Sequence, residues 1–194
     1  SALFFLLLEQ NIPFDIAIVD YNQREQSKEE VSYAKELAIK YSKNIYLKDV
    51  TLDANSNFEK NARDIRYAFF EEIINEHSYE NLITAHQLND KLEWFMMQIT
   101  KGAGLVELIG FNVFEHKENY KIYKPLLQIT KEELQKYLKQ NDLKYFIDNS
   151  NFDEKYKRNF FRHNFSDKLL EEFKEGIKKS FDYLQKDINS LNIQ

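Results

Sequence analysis

The stretch NLITAHQLNDKLEW, residues 81–94, joins a short apolar segment to a helical pattern that carries acids in its first turns. Residues 81–85 predict a buried strand, and residues 88–100 have the spacing of a helix. Two further apolar runs lie upstream, FDIAIV at 14–19 and IYLKDV at 45–50, with helical periodicity between successive runs. Alternating strands and helices predict an α/β fold with a parallel sheet and helices on both of its faces.

The pattern downstream is mostly helical after a short hairpin. Thr130 predicts the N-cap of a helix that runs through Gln140, and residues 165–190 predict a last helix. The spacing places five apolar residues on the buried side of that last helix: Phe165, Leu169, Phe173, Ile177 and Leu184. We therefore predict an α/β domain over residues 1–125 and a helical extension over residues 126–194.

The composition excludes several classes of protein. Hydrophobic residues make up 43% of the chain and charged residues 30%, which excludes disordered and fibrous proteins. The sequence contains no cysteine, which excludes disulfide scaffolds and thiolate metal sites. The longest apolar run, residues 2–8, is too short to span a bilayer and follows no cationic segment. We expect a cytoplasmic protein without membrane contact.

The positive charge of this chain is concentrated in one region. The formal net charge is −5, yet residues 117–168 carry 12 lysine and arginine residues against 8 aspartate and glutamate residues. A basic region in an acidic protein can bind a polyanion on one face. The chain has 27 basic residues, and five of them are arginines, whose planar fork suits phosphate and carboxylate. These are Arg24, Arg63, Arg66, Arg158 and Arg162.

A first candidate site follows the strand at 81–85. His86 lies at the entrance of the next helix, and Asp90 and Glu93 share one of its faces. Such a set can hold Mg²⁺, bind an ammonium group or exchange protons. The alternative is that Asn89 and Asp90 cap the helix and that the acids are exposed.

Two further features have equally open interpretations. Arg63 and Arg66 lie three apart on one helix face, where they can meet an anion or pair with Asp64 or Glu59. The sequence KGAG at 101–104 can turn backbone amides toward an anion, or it can form a helix C-cap and turn.

The segment DNSNFDEKYKRNFFRH, residues 148–163, interleaves cations with aromatic rings. Cations beside rings suit RNA phosphates and unpaired bases. The alternative is a helix whose aromatic face belongs to the core.

Taken together, these segments resemble one family, the tRNA(Ile)-lysidine synthetases among the PP-loop (N-type) ATP pyrophosphatases. The family pattern AHHxDDQxET stands here as AHQLNDKLEW at 85–94, and RGxGLxGLxGM stands as KGAGLVELIGF at 101–111. ARxxRYxFF-like residues stand at 62–70, and RPLL stands as KPLL at 124–127. The longest pattern, DxSNxDxxYxRNxxRH, stands nearly whole at 148–163.

The resemblance implies an adenine nucleotide alpha-hydrolase-like fold and a ligase. Its reaction would attach free L-lysine to the wobble cytidine of isoleucine tRNA with a CAU anticodon, through an adenylated base. ATP would enter with Mg²⁺, and no other metal site is expected. The oligomeric state stays open, with a homodimer as one option.

The resemblance also implies roles for single residues. Asp90, Arg63 and His86 would be catalytic, and Asp90 with Glu93 would bind lysine. ATP would be bound by Arg63, His86 and Asp20. Asp20 lies at the end of the strand predicted at 14–19, where ligands of such sheets bind. The residues expected to contact the tRNA are Lys157, Arg158 and Arg162.

Several departures from the family pattern keep alternatives open. The ATP loop SGGxDS does not occur in this sequence, so we expect the chain as written to be an inactive fragment. Family residues are also replaced at Gln87, Asn89, Lys91 and Trp94. The alternatives are another PP-loop tRNA modifier such as a cytidine thiolase, a non-catalytic RNA-binding remnant, and a plain structural domain. The lack of cysteine counts against sulfur transfer.

Overall fold

The computed structural model describes residues 1–22, 25–52, 58–146 and 157–191. The α/β class is confirmed. In chain order the elements are α1 (Ala2–Glu9), β1 (Ile16–Asp20), α2 (Glu25–Lys40), β2 (Ile45–Asp49), α3 (Phe58–His77), β3 (Asn81–Ile83), α4 (Leu88–Ile99), α5 (Leu105–Ile109), β4 (Phe114–His116), β5 (Lys121–Tyr123), α6 (Lys131–Gln140), α7 (Lys157–Phe161), a π-helix (Arg162–Ser166) and α8 (Asp167–Ser190). The predictions for Arg24 and for residues 148–156 lie outside the described residues.

The first two strands form a parallel pair, as the apolar runs predicted. Ile16 of β1 lies opposite Ile45 of β2, and Asp20 lies opposite Asp49. α2 makes the crossover between the strands, which places both carboxyl ends at one edge of the sheet. Asn22 joins them there: its backbone N–H donates to Asp20 Oδ1 at 2.9 Å, and its side-chain amide donates to Asp49.

A second sheet has the strand order β3–β5–β4. The predicted hairpin is confirmed as β4 and β5. The third predicted strand, β3, is only three residues long and pairs with the hairpin rather than with β1 or β2. The backbone N–H of Thr84, just beyond β3, extends this pairing by donating to the carbonyl of Tyr123 at 2.9 Å.

The chain packs as two compact units. One unit comprises Phe4–Leu82 with Lys117–Lys121 and contains β1, α2, β2 and α3. The other comprises Ser1–Leu3, Ile83–His116 and Ile122–Gln194 and contains α4 to α8. The division at residue 125 stays a prediction. No helix in the described ranges is long and apolar enough to cross a membrane.

The core of the α4–α8 unit lies between α4 and α8. Leu88 and Leu92 of α4 pack with Leu170 and Phe181 of α8. Of the five residues predicted to face inward along the last helix, three pack against this cluster: Leu169, Ile177 and Leu184.

The prediction that Phe165 and Phe173 face inward is wrong. The two side chains are 39% and 57% exposed. The regular 3.6-residue period on which the prediction depended is interrupted twice. Phe165 lies in the π-helix, and Phe173 has the non-helical angles φ −123° and ψ 21°.

The predicted cap of α6 is confirmed and extends into a contact with α8. Thr130 Oγ1 accepts the backbone N–H of Glu133 at 3.1 Å, and Glu133 Oε2 accepts the backbone N–H of Thr130 at 2.7 Å. Glu133 Oε1 also lies 3.1 Å from Lys174 Nζ and 3.4 Å from Lys178 Nζ. Partial burial opposes ionisation, but the Thr130 N–H and the two lysines together lower the pKa of Glu133 to about 2.

The KGAG sequence at 101–104 forms a turn after α4, as the C-cap and turn interpretation predicted. Gly102 follows α4 with φ 74°, and Gly104 caps the start of α5. α5 ends at Ile109, and Gly110 caps it with φ 55° and packs under the Trp94 indole. A methyl group at Gly110 would overlap that ring, whose Nε1 donates to the carbonyl of Glu107 at 2.7 Å.

We expect Gly110→Ala to lower the free energy of unfolding by about 2 kcal/mol, because it adds left-handed strain and displaces the Trp94 hydrogen bond. Urea unfolding monitored by far-UV circular dichroism measures the loss. Gly176→Ala in α8 is the matched control, since its methyl group would meet no atom within 4 Å. The control should gain about 0.5–1 kcal/mol, because alanine favours a helix interior. Equal midpoints for the two variants would contradict the expected clash.

Candidate functional site

Two acids project from the first turns of α4, and neither is as exposed as the capping alternative requires. Glu93 is fully buried, and the Asp90 side chain is 16% exposed. Asp90 does contribute to the cap, since its Oδ2 accepts the backbone N–H of Gln87 at 2.9 Å. Asp90 therefore caps α4, but neither acid is exposed in the way that the capping alternative requires.

Two arginines from the C-terminal helices meet these acids. Arg158 Nε lies 2.7 Å from Glu93 Oε2, and Arg158 Nη2 donates to Asp90 Oδ1. Arg162 binds Glu93 in a bidentate manner: Nε donates to Oε1 at 2.6 Å, and Nη2 donates to Oε2 at 3.0 Å. We call Asp90, Glu93, Arg158 and Arg162 the charge cluster.

The charge cluster balances two formal negative charges with two positive ones. This balance matters because an unpaired charge as buried as Glu93 would be strongly destabilising. Arg158 and Arg162 lie four residues apart, so one helical turn presents both guanidinium groups to α4. The predicted contacts of Arg158 and Arg162 with tRNA stay a prediction. The third predicted tRNA residue, Lys157, is exposed at the start of α7.

The Asp90 carboxyl has an altered affinity for protons. Burial raises the pKa of the Asp90 carboxyl above its ordinary value, although Arg158 and the Gln87 N–H act in the opposite direction. A carboxylate with a raised pKa holds a proton more readily than an ordinary surface acid. Asp90 is therefore suited to take a proton from an incoming amine.

His86 lies at the entrance of α4, as predicted. Its Nδ1 is 2.8 Å from Thr84 Oγ1, and its ring centroid is 5.1 Å from that of Phe111. The contacts with Thr84 and Phe111 fix the plane of the imidazole ring.

Three departures from the family pattern have structural explanations. Asn89 Nδ2 donates to Asp167 Oδ1 at 3.1 Å, and Asn89 Oδ1 accepts the backbone N–H of Lys131 at 2.9 Å. An aspartate could not make the first of these bonds, because a carboxylate donates nothing. Lys91 is 4% exposed with its Nζ 4.7 Å from the Phe181 ring centroid, and burial lowers its pKa. Trp94, the third, packs over Gly110.

The remaining predicted site residues, Asp20 and Arg63, belong to the other compact unit. Asp20 lies at the carboxyl end of β1, where parallel sheets of this class bind ligands. Arg63 is exposed on α3, with its guanidinium 5.4 Å from the ring centroid of Tyr67. A stacked guanidinium keeps its N–H edge available for phosphate, so an anionic nucleotide fits this residue chemically.

The described residues contain no group of three or more His, Cys, Asp or Glu side chains that could hold a metal ion. In the charge cluster, arginine donors occupy both oxygens of Glu93 and Oδ1 of Asp90. The two acids are therefore arranged for ion pairing with cationic groups.

Comparison with known proteins gives the following relationships. The family profile described as "PP-loop domain" matches residues 2–169. The tRNA(Ile)-lysidine synthase of Helicobacter hepaticus is 51% identical over 196 residues, which cover 98% of this chain and 46% of that protein. The tRNA(Ile)-lysidine synthase of Campylobacter jejuni strain RM1221 is 48% identical over 191 residues, which cover 98% of this chain and 59% of that protein. The chain thus spans about half the length of these curated relatives.

A solved structure gives an independent comparison of the fold. The U34-tRNA thiolase NcsA from Methanococcus maripaludis superposes with a TM-score of 0.71, covering 94% of this chain and 66% of the thiolase chain. The two sequences are 19% identical, so this likeness shows a shared fold and no more.

Proposed function

Because this chain belongs to the PP-loop domain family, we propose that it takes part in the ATP-dependent ligation of lysine to tRNA. The product would be lysidine at the wobble cytidine of isoleucine tRNA with a CAU anticodon. The observation that carries this proposal is the 48–51% identity to curated tRNA(Ile)-lysidine synthases over 98% of the chain. The thiolase alternative has only a shared fold at 19% identity, and this sequence has no cysteine.

The proposed reaction has two chemical steps. The cytosine C2 oxygen attacks the α-phosphorus of ATP, and the bond to pyrophosphate breaks. The ε-amino nitrogen of lysine then forms a bond to C2, AMP leaves with the oxygen, and the amine gives up its protons. The protein must therefore hold an ammonium group, accept a proton and neutralise phosphate charge.

The charge cluster supplies the first two of these requirements in our proposal. Burial raises the pKa of Asp90, and the Asp90 side chain has the greater solvent access of the two acids, so it is the group that we assign to the lysine amine. Glu93 completes the lysine site as the buried acid beside it, with Arg158 and Arg162 fixing its carboxylate.

The other proposed roles rest on position and chemistry. The exposed fork of Arg63 would neutralise charge on the α-phosphate, and His86 would order the nucleotide or the target base. Asp20 would face ATP from the end of β1. Mg²⁺ would enter with the ATP phosphates, and the reaction would take place in the cytoplasm. Lys157, Arg158 and Arg162 remain our proposed tRNA contacts.

The test is incorporation of labelled lysine into CAU-anticodon isoleucine tRNA by the protein in its natural length. We expect incorporation that needs ATP, lysine and the tRNA together, and none with methionine tRNA of the same anticodon. Filter binding of the tRNA is measured in parallel. Binding without incorporation would reject the ligase and favour the RNA-binding alternative.

A further inference from the structure

The π-helix assembles a patch of three phenylalanines on the surface of the α4–α8 unit. Phe160, Phe161 and Phe165 are in mutual contact, with ring centroids 5.7, 5.8 and 5.9 Å apart. Phe160 is 43% exposed and Phe165 is 39% exposed. We call these three residues the aromatic patch.

The contact between Phe160 and Phe165 depends on the π-helix. Residues five apart in an α-helix point about 140° away from each other, so their rings would lie on different faces. The wider turn of a π-helix brings residues five apart onto one face. The five residues from Arg162 to Ser166 adopt this rare geometry, and Phe165 is one of them.

The aromatic patch is not explained by folding stability. Phe160 and Phe165 each leave about two fifths of their surface in water, so a large part of this apolar area is not buried. The π-helix also leaves the Ser166 hydroxyl fully buried with no hydrogen-bond partner among the described residues. Both features cost stability, and π-turns of this kind occur frequently at functional sites.

The charges around the aromatic patch favour a nucleic acid as its partner. Exposed lysines flank the rings, with Lys157 four residues before Phe161 and Lys168 three residues after Phe165. Asp167, the acid closest in sequence to Phe165, is engaged by the Asn89 side-chain amide. A nucleotide offers a flat base to the rings and a phosphate to the lysines.

The geometry points to the aromatic patch as a stacking platform for an unpaired base of the RNA substrate, an inference that rests on the proposed function. The platform lies one helical turn from Arg158 and Arg162, which the charge cluster holds against α4. A base stacked there would lie on the segment whose arginines pair with the acids of the proposed lysine site.

The test is the double variant Phe160→Leu/Phe165→Leu, which keeps the side chains apolar but removes their π faces. Base stacking on an aromatic side chain typically contributes enough for a fivefold or larger change in affinity. We expect the Kd and the KM for tRNA to rise by about fivefold or more, with kcat at saturating tRNA and the KM for ATP unchanged. Phe173→Leu, an exposed phenylalanine on α8, is the matched control and should change neither constant.

A second measurement separates this inference from the proposed reaction. The tRNA is substituted with 5-iodocytidine or 5-iodouridine and irradiated, and the crosslinked peptide is identified by mass spectrometry. A crosslink at Phe160, Phe161 or Phe165 supports the platform even if no lysine is incorporated. An unchanged Kd in the double variant would overturn the inference. So would a change in sedimentation with no change in tRNA affinity, because the patch would then join two copies of the chain.

Discussion

Asp90→Asn is expected to lower lysine transfer by about 100-fold or more, because the variant cannot accept a proton from the amine. The variant should still fold, because its loss is a fraction of the about 5–15 kcal/mol by which a domain is typically stable. Asparagine keeps one oxygen for the Gln87 N–H or for Arg158, and Arg158 keeps its 2.7 Å contact with Glu93. The loss of one hydrogen bond to a charged group corresponds to about 1.5–3 kcal/mol.

The measurement is single-turnover lysine incorporation beside urea unfolding of the same preparation. Glu107→Gln, which removes an exposed acid from α5 outside the charge cluster, serves as the control. Pyrophosphate release should persist in Asp90→Asn, since that step precedes attack by the amine. Full lysine transfer by the variant would remove Asp90 from the proposed site.

The sequence was sufficient to predict those elements whose signals are local. The strands at 16–20 and 45–49 follow from short apolar runs, and α3 at 58–77 follows from its periodicity. The cap joins Thr130 and Glu133, which are only three positions apart, so its hydrogen bonds follow from neighbouring residue types.

The partners of the acids could not be predicted in the same way. Glu93 meets arginines 65 and 69 residues further along the chain, and no local pattern specifies such a pairing. The basic, aromatic segment predicted an RNA contact instead, because cations beside rings are typical of RNA-binding proteins. The structure shows that Arg158 and Arg162 form ion pairs with Asp90 and Glu93, so composition alone could not assign their partners.

The sequence did not predict the π-helix, because a π-helix changes the helical register and has no characteristic residue type. A regular helical period assigned Phe165 and Phe173 to the core, and one extra residue in a turn is enough to move a side chain to another face. The reason for asparagine at position 89 could not be found from the sequence either, because its side-chain amide donates to Asp167, which is 78 residues away.

Glu93→Gln is expected to lower the free energy of unfolding by about 3–5 kcal/mol, the usual cost of removing one partner from a buried ion pair. Glu93 is fully buried and receives hydrogen bonds from Arg158 and Arg162 on both oxygens. A glutamine offers one acceptor, and its amide hydrogens would face the donors of an arginine. Urea unfolding measures the loss, and Glu107→Gln should be within about 0.5 kcal/mol of the parent chain.

A double-mutant cycle with Arg162→Met distinguishes a true ion pair from a general packing defect. If the carboxylate and the Arg162 guanidinium stabilise each other, the sum of the stability losses in the two single variants must exceed the loss in Glu93→Gln/Arg162→Met by at least about 1 kcal/mol. Additive losses would mean that each residue contributes independently, and the charge cluster would then not act as a unit. A loss below about 1 kcal/mol for Glu93→Gln would show instead that water reaches the guanidinium groups of Arg158 and Arg162, because only solvated charges lose their counter-ion at so small a cost.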